Sequence, residues 1–168
     1  MIEKNETVGE TWHENRYLGC GFDTPNHFYS YSFEPSHEWT EFYSKRDELH
    51  QYFENCADKY DLHRDIRFET EVVSLGYNEA SASWDGSIRV KDGAEEILRA
   101  NTVITAVGKL NRPKLPDIPE LDTFEGAAFY TAGWDESVDL AGKRVAMIGT
   151  GASGMQIGSL SSSACPTG

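Results

Sequence analysis

The stretch GKRVAMIGTGASGMQIGSL, residues 142–160, decides the fold. Arg144 to Ile148 is an apolar run of β type, Gly149, Gly151 and Gly154 set out the spacing GxGxxG, and the residues from Ala152 to Leu160 can open a helix. Strand, glycine turn and helix in that order begin a dinucleotide-binding βαβ unit. Gly149 permits the tight turn, Gly151 lets backbone approach a phosphate, and Gly154 allows the helix to pack closely on the strand. The free N–H groups of the helix start would then face a pyrophosphate. Such a unit needs a returning strand about 30 residues on and a ribose-reading residue about 20 residues past the turn. The sequence runs to Gly168, so the expectation is a unit that is begun and not closed.

Working back from the turn, VGKLNRPKLPDIPELD (107–122) carries three prolines that enforce an extended connection. Before it lie four β-rich runs, IRFETEVVSLGY, SASWDGSIRVKD, EEILRA and NTVITAVG, with Asp85-Gly86 and Asp92-Gly93 as turn dipeptides. They predict an antiparallel meander over 66–106 whose last short strand is Val103 to Ala106. SKRDELHQYFENCADKYDL (44–62) places Leu49, Tyr52, Phe53, Cys56, Ala57 and Tyr60 at helical intervals, with Ser44 and Asp47 at capping-box spacing. A helix over 46–61 is predicted. Met1 to about Thr40 alternates aromatics with Gly, Asn, Pro and Asp and holds neither period, so it reads as loop. Its aromatics either cover a bound apolar object or pack on the local core.

The chain has 168 residues with 15 basic and 28 acidic side chains, a net charge of -13. That balance repels nucleic acid and anionic membrane, so neither is expected as a partner. Three widely spaced cysteines, Cys20, Cys56 and Cys165, contain no CxxC pair and read as reduced thiols of a cytoplasmic protein, without a disulfide frame or metal site. His50 and His63 lie too far apart for one helical metal face and read as surface residues.

Several stretches taken together resemble the flavin-dependent Baeyer–Villiger monooxygenases, in particular the branch that includes 4-hydroxyacetophenone monooxygenase. Phe124, Gly126, Trp134 and Asp135 match the fingerprint FxGxxxHxxxW followed by Pro or Asp, with Tyr130 at the histidine position. VGETWHENRYLGC resembles VGGTWxxNRYPG, and DTPNHFYSYSFEP and AVGKLNRPKLPDIP continue the match, which covers roughly Ile2 to Gly158. The resemblance implies an α/β fold with partial FAD- and NAD(P)-binding Rossmann-type domains and an antiparallel β-meander. It implies a partial FAD-binding domain over 1–108, a linker bearing the fingerprint over 109–141, and the start of an NADPH-binding domain over 142–168. It places Met1 to Asn5 at the end of the second strand of the FAD domain, making the chain an internal fragment, inactive alone.

The resemblance also assigns residues. Glu3 matches the acidic residue that accepts hydrogen bonds from the FAD ribose, Thr11 and Trp12 the stretch lining the flavin, and Tyr29 a flavin-side tyrosine. Asp23 matches the catalytic aspartate beside flavin and nicotinamide. Val72 matches a backbone contact to the adenine portion, and Ala106 and Gly108 the link between domains. Gly149, Thr150, Gly151, Ala152, Ser153, Gly154 and Gln156 match the NADPH phosphate loop. The implied activity is reduction of FAD by NADPH, uptake of O₂ as a flavin C4a-peroxide, and insertion of one oxygen into a ketone. Five positions depart from the pattern: Glu10 and Glu120 stand at glycines, Leu18 at a proline, Gly21 at an arginine near the nicotinamide, and Tyr130 at the histidine. Two alternatives stay open, an N- or S-oxygenating flavin monooxygenase and a non-catalytic module that binds a partner through uncovered sheet edges. Substrate, nicotinamide preference and oligomeric state are left open as well.

Overall fold

A computed structural model of the chain describes residues 1–91, 93–108 and 112–164, the last six as backbone alone. The chain folds as two compact units, the described residues of Met1–Glu10 with Phe53–Asn111, and those of Thr11–Tyr52 with Arg112–Gly168. No helix among the described residues is long and apolar enough to cross a membrane.

The longest helix among the described residues is Arg46–Lys59 (α2), following a short one at Thr11–Glu14 (α1). Its apolar spacing turns Leu49, Tyr52, Cys56 and Ala57 inward, all buried, as the 3.6 period requires. It ends two residues before the predicted 61, and the reason is local. Asp61 adopts a left-handed φ of 52°, Asp61 N–H donates to the Asp58 carbonyl and Leu62 N–H to that of Ala57, which closes the last turn. The expected Ser44–Asp47 box does not form. Ser44 Oγ donates instead to Glu48 at 2.5 Å, and Asp47 pairs with Arg46.

In the first unit, Thr70–Asn78 (β1), Ser83–Val90 (β2) and Glu95–Ala100 (β3) form an antiparallel sheet in the order β1-β2-β3. The meander is present but narrower than 66–106. Residues 102–108 form no strand, so Val103 to Ala106 is corrected: an apolar run becomes a strand only where a neighbour completes its ladder. Asp85-Gly86 is not a turn. It lies inside β2 with Leu75↔Gly86↔Leu98 in register, and the missing side chain makes room for Leu75, whose Cδ2 lies 3.1 Å from where a Cβ would stand. The first reversal is made by Asn78, whose Oδ1 accepts the N–H groups of Ala80 and Ser81. The second contains Gly93, whose N–H donates to the Val90 carbonyl; Asp92 lies outside the described residues. The register of β1 slips between Val72 and Ser74, leaving a bulge. Ile2 makes a parallel bridge to Arg67, and Glu3 exchanges backbone hydrogen bonds with Arg67 and Thr70.

In the second unit the long irregular segment is pinned at the start of α2. Gly21 bridges Lys45, Arg46 N–H donates to the Cys20 carbonyl, and the buried Asn26 side chain bonds the Glu41 carbonyl and both backbone and hydroxyl of Ser44. Burying an amide is tolerated here because its polar atoms are paired. The run Arg144 to Ile148 is not a strand, for the same want of a ladder partner among the described residues. The turn after it leads into Ala152–Ala164 (α3), as expected.

Candidate functional site

The glycine turn behaves as its spacing requires. Gly149 has φ +113°, open only to glycine at low cost. A Cβ on Gly154 would stand 2.9 Å from the Gly149 carbonyl oxygen, so only hydrogen fits where α3 folds over the turn. At Gly151 nothing lies within 4 Å of an added Cβ. Met155 N–H donates to the Gly151 carbonyl at 3.0 Å, so the amides ahead of it belong to the unpaired first turn of the helix. Thr150, Gly151 and Ala152 are exposed and Ser153 is half-buried. An open approach, a helix start and a sealed Gly149–Gly154 contact fit a diphosphate.

The inner face of α3 carries Ser153, Gln156 and the buried Ile157. Gln156 Oε1 accepts the Tyr17 hydroxyl at 2.8 Å, and its Nε2 donates to the Gly21 carbonyl at 2.8 Å. Burial pushes the Tyr17 phenol up to about 12; Ser153 bonding to it pulls the other way, while Cys20 and the charge of Asp23 add to the rise. Burial likewise raises the Cys20 thiol.

Beside this cluster three rings meet. Trp12 is buried and its Nε1 donates to the Tyr29 hydroxyl at 2.9 Å. It stands edge-on to Phe22 and Tyr29, at 5.6 and 5.8 Å between centroids, and Phe22 lies on Tyr29 at 3.7 Å. Arg46 Nε donates to the Trp12 carbonyl at 2.6 Å and so ties α1 to α2. Thr11 opens α1, with its carbonyl accepting from Asn15 backbone and side chain. Asp23 follows Phe22 and is exposed.

Thr11, Trp12, Asp23, Tyr29 and the 149–156 loop thus share the second unit, while Glu3, Val72, Ala106 and Gly108 belong to the first. There, Glu3 is half-buried and its Oε1 accepts the Asn5 N–H at 2.8 Å, a loop-end carboxylate with acceptor capacity to spare. Val72 stands at the bulge, 42% exposed. Ala106 and Gly108 are exposed. At one point the fit to a nucleotide fails. Glu10 has φ 30°, and its carboxylate lies 2.9 to 3.0 Å from where a Gly108 Cβ would be, so a charge crowds backbone that the family pattern leaves clear.

Sequence reasoning missed Tyr17, Phe22 and Arg46. Tyr17 sits inside a quoted motif and could have been found there, Phe22 falls between two of them, and nothing local marks Arg46. In the fingerprint, Phe124 lies across Gly126, whose added Cβ would fall 2.6 Å from the ring. Trp134 stands edge-on to Phe129, and Asp135 is held low by hydrogen bonds from Ser137 hydroxyl and N–H. Among the described residues no group of His, Cys, Asp and Glu could hold a metal ion.

Comparison with known proteins agrees with this geometry. The chain is 44% identical over 157 residues to a Baeyer-Villiger monooxygenase of Streptomyces coelicolor, a match covering 94% of the chain and 29% of that protein. It is 38% identical to one from Pseudomonas aeruginosa, over 93% of the chain and 29% of the relative. The chain therefore spans about three tenths of the length of these relatives. Among solved structures, cyclohexanone monooxygenase from Rhodococcus sp. Phi1 bound to NADP+ superposes with a TM-score of 0.85 at 40% identity, over 98% of this chain and 31% of that one. OTEMO in complex with FAD and NADP gives 0.88 at 35% identity, over 98% and 32%. The model of the FMO-like family, flavin-binding monooxygenase-like, matches residues 20–166, and with the sealed glycine turn and the ring cluster in place the chain belongs to that family.

Proposed function

We propose that this chain supplies walls of the FAD and NADPH sites of a Baeyer–Villiger monooxygenase acting on ketones with O₂. The carrying observation is the turn into α3, closed at Gly149–Gly154 and open at Gly151. The domain reading, 1–108 toward FAD, 109–141 as linker and 142–168 toward NADPH, is part of this proposal. So is a cytoplasmic setting, supported by the free thiols Cys20 and Cys56.

Bound together, the two cofactors supply the hydride and oxygen chemistry. The chain's own residues bind and orient. The first-turn amides of α3 and the Thr150 and Ser153 hydroxyls hold diphosphate oxygens, with the helix dipole offsetting part of the chain's negative charge. Glu3 accepts from ribose hydroxyls, and the bulge at Val72 presents backbone to the adenine portion. Trp12, Phe22 and Tyr29 give a rigid, edge-to-face aromatic wall that excludes water, with Thr11 next to Trp12 in the chain. Asp23 places a carboxylate at the end of that wall, where it orients a cation. Ala106 and Gly108 belong to the link in the chain between the FAD-binding and NADPH-binding portions.

NADP+ titration of the chain by calorimetry tests the reading, with FAD titrated in parallel. Saturable heat that Gly151→Val abolishes supports it, and no heat with the unmodified chain overturns it. Ester formation from cyclohexanone with matching NADPH consumption, in a protein of the relatives' length, tests the reaction itself.

A further inference from the structure

Gln156 belongs to the glycine-turn helix, yet both ends of its amide are engaged by protein. Its Oε1 accepts from Tyr17 and its Nε2 donates to the Gly21 carbonyl. The two partners bracket Cys20 and lead directly into Phe22 of the ring cluster. The orientation is forced: Gly21 offers a carbonyl, so the amide must present nitrogen there and oxygen to Tyr17, which must be the donor. Tyr17 is buried at 7% exposure, and Ser153 lies three residues before Gln156 on the same helical face and is half-buried. Ile157 is buried next to them.

We propose that Tyr17 and Gln156 form a two-point latch that sets the angle of α3 against the segment 17–23, making both positioning residues for the phosphate loop. Gln156 acts through the helix and spends its side chain on the protein in place of the nucleotide. The latch couples the loop to the ring wall: a shift of α3 on nucleotide binding pulls on Gly21 and Phe22 through two hydrogen bonds of fixed polarity. This inference rests on the reading of 149–156 as a nucleotide loop.

The test is a double-mutant cycle of Tyr17→Phe and Gln156→Leu in the chain, read by backbone amide exchange over 150–158 without ligand and by NADP+ titration. Each single change is expected to speed exchange about 3- to 10-fold, the range of one net hydrogen bond, and the double change no more than Gln156→Leu alone. The Gln156 side-chain amide resonances in a ¹⁵N-labelled sample are expected to shift in Tyr17→Phe while those of the other glutamine, Gln51, stay in place. Unchanged exchange in both variants, or strictly additive effects, overturns the latch. If a variant fails to fold, the unmodified chain still decides: Gln156 amide protons without contacts to Gly21 and Tyr17 in its spectra overturn the proposal. If the unmodified chain binds no NADP+, the function reading falls while exchange and spectra continue to judge the latch.

Discussion

Glu10 and Glu120 each hold a long side chain on backbone that suits glycine. Both stand where the resemblance expects glycine, and both have positive φ, 30° and 63°. A side chain in the left-handed region costs about 1–2 kcal/mol. Glu120 precedes the short 3-10 turn Leu121–Thr123 with ψ 14° and makes no side-chain cap. Glu120→Gly is therefore expected to raise the unfolding free energy by about 1 kcal/mol, measured as a shift of the urea midpoint at constant slope. Position 21 argues the reverse case. Replacing Gly21 by arginine puts a Cβ 3.0 Å from the Ser44 carbonyl oxygen and 3.3 Å from Lys45 Cδ, so an arginine here requires its neighbours at the bridge to Lys45 to give by a few tenths of an ångström.

At the scale of elements, α3 and its turn separate two roles of glycine. Gly154→Ala drives a Cβ against the Gly149 carbonyl and is expected to cost about 1–3 kcal/mol, the range of an overpacked site. Gly151→Ala meets nothing within 4 Å, so it is expected to leave stability unchanged and lower NADP+ affinity, a contrast that paired urea and calorimetric titrations read out. In α2, Leu49 is fully buried, and Leu49→Ala is expected to cost about 3 kcal/mol. α2 and the meander were legible in the sequence because their signals are local: a 3.6-residue apolar period and alternating runs between turn residues. The runs 103–106 and 144–148 were not, since their apolar character states a wish for a partner and says nothing of whether one arrives. Gly86 misled for a related reason; its place is fixed by Leu75 on the neighbouring strand, eleven positions away. The glycine loop was read from spacing alone, whereas the contribution of Tyr17, more than a hundred residues from Gln156, needed the fold.

For the whole molecule, stability in alkali is the property that registers the site. Tyr17 is raised from 10.0 to about 12 chiefly by burial. A folded value above the unfolded one gives stability that is complete below pH about 10 and is lost as pH climbs through about 12. Denaturant unfolding at pH 9 and 11.5 is expected to show a loss on the order of 2 kcal/mol from this group, absent in Tyr17→Phe after correction for the remaining tyrosines and lysines. The two glutamates at glycine positions carry one more implication. The genetic code separates Glu from Gly by a single base, and at both positions the main chain already follows the glycine path. A change to glycine would need no remodelling of the surrounding backbone, so one nucleotide at each of these two positions is enough to relieve the strained main chain.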